Sequence, residues 1–170
     1  MAAGATYEPI ATTTLASPAV SISLSSIPST YTDLRAVWVG NNATSGGALT
    51  MTINGATTNY SITNITGNGT AAASARRTVD AFLYLGYNQN LSTTSGLIAV
   101  GIVDIFSYAG STNKTILGSV ANDKNGTGEV VRMVGLYRST SAITSISFSN
   151  DNAQNFSIGT TLTLYGIKAA

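Results

Sequence analysis

Across its 170 residues the chain has no cysteine and no histidine. Without cysteine there is no disulfide framework, no thiolate nucleophile and no thiolate metal site. Without histidine the commonest general base and the commonest metal ligand disappear together. Ser-His-Asp and Cys-His catalysis are therefore excluded, as is a zinc site built from the usual ligands. Charge is scarce too. Charged residues make up 9% of the chain, against roughly 25% in an average globular protein. Eight Lys and Arg stand against seven Asp and Glu, a net charge of +1. That leaves no footprint for nucleic acid, which needs clustered cations against phosphate. The one adjacent basic pair, Arg76-Arg77, reads as a solvated strand start or an interface contact. Long apolar runs are missing as well, and none approaches the roughly 18 residues of a membrane-spanning helix. The opening "MAAGATYEPIATTTL" has neither a basic region nor a continuous apolar stretch, so it does not read as a signal peptide. A soluble chain made in a cytoplasm, with no membrane partner, is the expectation.

Hydrophobic residues reach 44%, and β-branched or aromatic residues occur in nearly every segment, which separates this composition from disorder. The length suits one domain, burying roughly 70% of the surface its unfolded chain exposes. Period-2 alternation dominates. "AVSISLSS" sets Val20, Ile22 and Leu24 on one face, and "ALTMTING" does the same with Leu49, Met51 and Ile53. "RRTVDAFLYLG" runs Val79, Ala81, Leu83 and Leu85 inward. "LIAVGIVDIFSYAG" and "GEVVRMVGLYRS" are apolar on both faces, as expected of strands covered on two sides. "AITSISFSN" and "GTTLTLYGIKA" close the chain. Turn signals such as Asn54-Gly55 and Asn125-Gly126 punctuate these runs and suit type I′ hairpins. Eight to ten strands with no helix between them predict an all-β fold, an antiparallel β-sandwich of jelly-roll-like form, with an immunoglobulin-like sandwich as the alternative. Residues 1–9 read as an extended N-terminal arm, residues 10–170 as the sandwich domain. "AAASARR", Ala71 to Arg77, reads as a helical turn or a small-residue loop.

The seven carboxylates are spread singly. Asp80 and Asp104 fall mid-strand, where they face each other across a sheet or pair with Arg77 or Arg132; an outward polar role is preferred. Asp33 and Arg35 share one strand face two residues apart, the spacing of a local pair or a subunit contact. "NDKNGTGE", Asn122 to Glu129, comes nearest to a calcium loop, and reads better as a glycine-bearing hairpin. No phosphate-binding glycine motif is present. Trp38, between Val37 and Val39, reads as core, and Tyr87 in the polar "GYNQN" loop as the exposed ring for a partner or a glycan. No enzyme, cofactor or metal is expected.

Three blocks carry a family resemblance: "YEPIATTTLASPAVSISLSSIPSTYTDLRAVWVG", "LTMTINGATTNYSITNITGNG" and the closing "SIGTTLTLYGIK". In order and wording they resemble small β-sandwich virion proteins of tailed bacteriophages, described as minor structural, head-decoration or tail-associated proteins. The blocks cover both ends and the first third of the chain; residues 76–156 match only in strand character. The resemblance implies a virion structural protein, first of all a capsid decoration or cement protein on the outer surface of the particle. Its implied partners are the major capsid protein, other virion proteins, and itself as a dimer or trimer. The alternative is a tail or fibre-tip module recognising host surface glycan. On this reading Tyr7, Glu8, Ile10, Arg76 and Arg77 are candidate assembly contacts. Removing Met1 to Pro9 would then weaken attachment without unfolding the domain.

Overall fold

The computed structural model describes residues 6–44, 46–87 and 91–168. Twelve strands are present among the described residues, more than the eight to ten expected. They are β1 (Tyr7–Thr14), β2 (Ser21–Leu24), β3 (Asp33–Gly40), β4 (Leu49–Ile53), β5 (Tyr60–Gly67), β6 (Ala72–Asp80), β7 (Leu83–Tyr84), β8 (Ala99–Ile105), β9 (Lys114–Asn122), β10 (Glu129–Tyr137), β11 (Ile146–Asn150) and β12 (Thr161–Ile167). They form two antiparallel sheets, one of eight strands in the order β1-β12-β3-β8-β9-β10-β5-β6 and one of four in the order β2-β11-β4-β7. The protein is an all-β antiparallel sandwich, as the alternation predicts.

Burial follows the alternation strand by strand, because successive side chains point to opposite faces. In β3, Leu34, Ala36 and Trp38 are buried while Arg35, Val37 and Val39 are not. In β12, Leu162 and Leu164 point inward between threonines. The small sheet covers this inner face with Ile22, Leu24, Leu49, Met51, Ile53, Leu83, Ile146 and Phe148, all buried. Glycine governs how closely the sheets approach. A Cβ on Gly101 would stand 2.7 Å from Leu49 Cδ2, and one on Gly135 would stand 2.7 Å from Leu83 Cδ2. Two leucines of the small sheet therefore settle onto bare backbone of the large one.

Turn chemistry is right locally, but its placement in the fold differs from the hairpin expected. Asn54 and Gly55 take φ of 51° and 67°, and Ala56 N–H closes the turn on the Ile53 carbonyl at 2.9 Å. The turn joins β4 to β5, which lie in different sheets, so it is a corner and not a hairpin. The Asn54 carboxamide fixes that corner by accepting the N–H groups of Thr144 and Ser145 and donating to the Ala142 carbonyl. "NDKNGTGE" is the β9–β10 hairpin, with Asp123 accepting Gly126 N–H at 3.0 Å and Lys124 paired to Glu129 at 3.1 Å. No group of three potential metal ligands occurs among the described residues.

Three sequence expectations change. Residues 72–80 are strand β6, not a helical turn or loop, because they pair with β5 along the free edge of the large sheet. The inward run from Val79 to Leu85 is broken: Val79 is 80% exposed on β6, whereas Leu83 belongs to β7 in the other sheet. Of the arm, Met1 to Ala5 lie outside the described residues, but Tyr7, Glu8 and Pro9 are part of β1. Tyr7 pairs with Ile167, Glu8 with Gly166 and Pro9 with Tyr165. These three residues pair in register with the chain's own last strand, so removing them would strip a strand edge as well as any arm.

Tyr60 ties the two sheets together. It is fully buried, stacks on Tyr137 with centroids 4.9 Å apart, and its hydroxyl accepts the Ile53 N–H at 2.8 Å. Burial, the largest cause, pushes the phenol up from 10.0 to about 12. The unfolded phenol releases its proton near pH 10 while the folded one keeps it. Stability is thus intact below that pH and falls as pH rises towards 12, by about 2–3 kcal/mol in total at ~1.4 kcal/mol per pH unit. Tyr60→Phe should cost about 1–3 kcal/mol at neutral pH by leaving a buried N–H unsatisfied. It should also flatten the alkaline decline relative to the wild type, measured by urea unfolding at stepped pH.

Candidate functional site: the outer face of the large sheet

The inner face of the large sheet is filled by the small one, and no other described element covers the outer face. Register places its side chains in rungs. Val39 lies opposite Val100, Val100 opposite Ala121, and Ala121 opposite Val130. In the next rung Val37 meets Ile102, Ile102 meets Ser119, and Arg132 meets Ile65. In the third, Arg35 meets Asp104, Leu117 meets Val134, and Thr63 meets Arg76. Val100, Ile102, Val130, Val134 and Ile65 are all exposed, Ile65 at 63% and Val130 at 52%. Monomers rarely expose a contiguous apolar patch of this kind without a use for it.

The charges on this face are unequal. Arg35 grips Asp104 with two hydrogen bonds of 2.6 and 2.8 Å, and that contact raises the Arg35 pKa above its ordinary value. Arg76, Arg132 and Arg138 have no carboxylate partner among the described residues. Asp33, at the margin, accepts the Ser107 N–H at 2.7 Å. Four arginines therefore stand against Asp104 and Asp33, and the face is apolar with a positive balance. At its β6 end lies a shallow cleft of about 290 Å³, floored by Val134 and Leu136 and walled by Ser61, Thr63, Arg76 and Arg138.

The candidate assembly contacts fall in three places. Tyr7 is half-exposed on β1, with the Arg35 guanidinium 5.5 Å from its ring centroid. Glu8 pairs with Lys168 at 2.6 Å and accepts the Tyr31 hydroxyl at 3.2 Å; these contacts, the lysine's first, hold its carboxyl below the usual range. Ile10 sits at a bulge between Pro9 and Ala11 and packs on the core. Arg76 and Arg77 take opposite sides of β6, as neighbours on a strand must. Arg76 faces the cleft. Arg77 turns to Asp80, with Nε 2.8 Å from both carboxylate oxygens, and that bond is the main cause of its raised pKa.

Tyr87 is not a free ring. It is half-buried, edge-on to Tyr84 at 5.0 Å, and lies 5.2 Å from the Arg77 guanidinium, which donates to its hydroxyl at 3.4 Å. Asn88, Gln89 and Asn90 of its loop lie outside the described residues. Asp80 and Asp104 do not meet either: Asp80 pairs with Arg77, and Asp104 pairs with Arg35 instead of Arg132. Arg35 therefore reaches across to the next strand and leaves Asp33. Sequence reasoning missed Arg138, whose Nη2 donates to Ser61 Oγ at 2.8 Å and to the Thr78 carbonyl at 3.4 Å. Arg138 and Arg76 are far apart in sequence, and only the β10–β5–β6 pairing brings them together.

No protein family model matches the chain, and no curated protein matches it. Among solved structures, it is similar to the crystal structure of Caenorhabditis elegans galectin LEC-6. The two share 10% sequence identity with a TM-score of 0.36, over 93% of this chain and 96% of that one.

Proposed function

We propose that the protein is a bacteriophage virion structural protein, a head-decoration protein that lays the outer face of its large sheet on an acidic, apolar surface of the major capsid protein. The observation that carries this reading is the aliphatic rungs of that face. Exposed Val100, Ile102, Val130, Val134 and Ile65 are set among arginines that outnumber the carboxylates. Charge complementarity selects the occupant. Two copies of this face brought together would oppose like charges, which costs affinity, whereas an acidic surface is steered towards it. The sequence blocks resembling phage virion proteins support the same reading, and so does the low overall charge, which keeps desolvation costs at a contact small. The test is a count of copies per particle by quantitative gel and mass spectrometry. A copy number that follows the head lattice is the expected result. A number that follows the symmetry of the tail would overturn head decoration in favour of a tail or fibre-tip module.

A further inference from the structure

We infer that the cleft between Arg76 and Arg138 is a carboxylate-binding site that receives an acidic side chain from the docked protein surface. This rests on the docking reading and adds the chemistry by which one end of the face is recognised. Both guanidinium groups are held from the sheet beneath them. Arg138 Nη2 donates to Ser61 Oγ at 2.8 Å, and Arg76 Nε donates to Thr63 Oγ1 at 3.2 Å. Ser61 and Thr63 are two residues apart on one face of β5, so their anchor points stand about 6.6 Å apart. A carboxylate between them can accept one charge-assisted bond of ~2.8 Å from each side. Each arginine spends only part of its five donors on its hydroxyl. Among the described residues no carboxylate pairs with either arginine, and Asp80 is bound to Arg77 on the other side of β6.

The surroundings decide between a protein and a sugar as the source of the carboxylate. The floor is Val134 and Leu136, with no aromatic ring among the cleft's lining residues, and the Ser61 and Thr63 hydroxyls are engaged with the arginines. A polyol would find no ring to stack on, and only the Thr78 and Thr115 hydroxyls of the lining are left beside the two that hold the arginines. An aspartate or glutamate brings an aliphatic stem for the floor and a charged head for the two guanidinium groups. Val134 of the floor also lies opposite Leu117 on β9, one rung from Ile102.

The test uses fluorescence anisotropy of a labelled hexaglutamate peptide with the full chain at low ionic strength. Arg76→Gln/Arg138→Gln should weaken binding by about tenfold or more, because two charge-assisted bonds to the carboxylates are lost together. Lys124→Gln/Lys168→Gln removes the same formal charge outside the cleft and should change binding by no more than about twofold. Arg76→Gln alone, which breaks a single bond to an exposed threonine, should give an intermediate loss and keeps the test open if the double variant melts. Equal weakening in both double variants would mean that net charge alone is read. Absence of hexaglutamate binding to the wild type at millimolar peptide would overturn the site outright. A charge-matched oligogalacturonate that binds more tightly, and is lost in the arginine variants, would make the cleft an acidic-sugar site and overturn the protein source. Particle attachment is not measured in this assay, so docking and cleft can fail separately.

Discussion

Trp38→Ala should lower the unfolding free energy by about 3–5 kcal/mol, the usual cost of emptying a large aromatic site in a core. Trp38 is fully buried on the inner face of β3, and its ring centroid lies 5.2 Å from that of Phe156 at a 55° tilt. Phe156 in turn bridges to Ala19 and Asn42. The ring therefore supports two connections besides its own strand. A domain of this size has about 5–15 kcal/mol to lose, so the variant should melt far below the wild type or fail to accumulate. Trp38→Phe should cost much less, because the indole N–H has no acceptor within the described residues and its loss removes an unsatisfied donor. Urea unfolding of both variants is the measurement. Equal destabilisation by Phe and Ala would show that the N–H, and not ring volume, is what the site requires.

Ile102→Asp should weaken attachment to bare capsids by about 30-fold or more while leaving the sandwich folded. Ile102 stands mid-rung between Val37 and Ser119 and is 38% exposed. Its replacement costs the free domain about 1 kcal/mol or less, the range of strand preferences on an open face. Against an acidic partner, a new buried carboxylate should cost about 2–5 kcal/mol of binding, a loss of roughly 30-fold or more. The sign of the charge makes the test sharper. Ile102→Lys disturbs the aliphatic rung equally but should retain much more binding, since it complements the proposed acidic surface. Co-sedimentation with capsids, beside melting curves of the free variants, separates the outcomes. If aspartate and lysine act alike, the face docks through apolar contact alone. If neither matters, attachment lies elsewhere on the molecule.

Alternation made much of this fold legible. Val20, Ile22 and Leu24 were expected on one face; Ile22 and Leu24 are buried, and Val20 is exposed just before β2 begins. Trp38 was expected in the core, and it is there. The stretch "SSIPSTYTDLRAVWVG" shows both halves of the matter. Its alternation predicts β3 from Leu34 to Trp38, but nothing local predicts that Tyr108 donates its hydroxyl to the Pro28 carbonyl. Nor does anything local predict that Tyr31 lies over Gly166, where a Cβ would stand 2.3 Å from the ring. The "AAASARR" segment departs from its local expectation for the same reason. Alanine and arginine lean towards helix, and pairing with β5 overrides that local preference.

The sequence by itself determined the absence of cysteine and histidine, the all-β class and, Val20 and Val79 apart, most of the strand residues that point inward. These follow from residue identity and from the two-residue period of a strand, and both are local. Tertiary structure alone decided the partners. It gave Asp104 to Arg35, gave Asp80 to Arg77, closed Tyr7 to Pro9 onto the last strand, and set Arg138 beside Arg76. Each depends on which strands become neighbours and in what register, and a side chain's reach across a sheet is not written in its own segment.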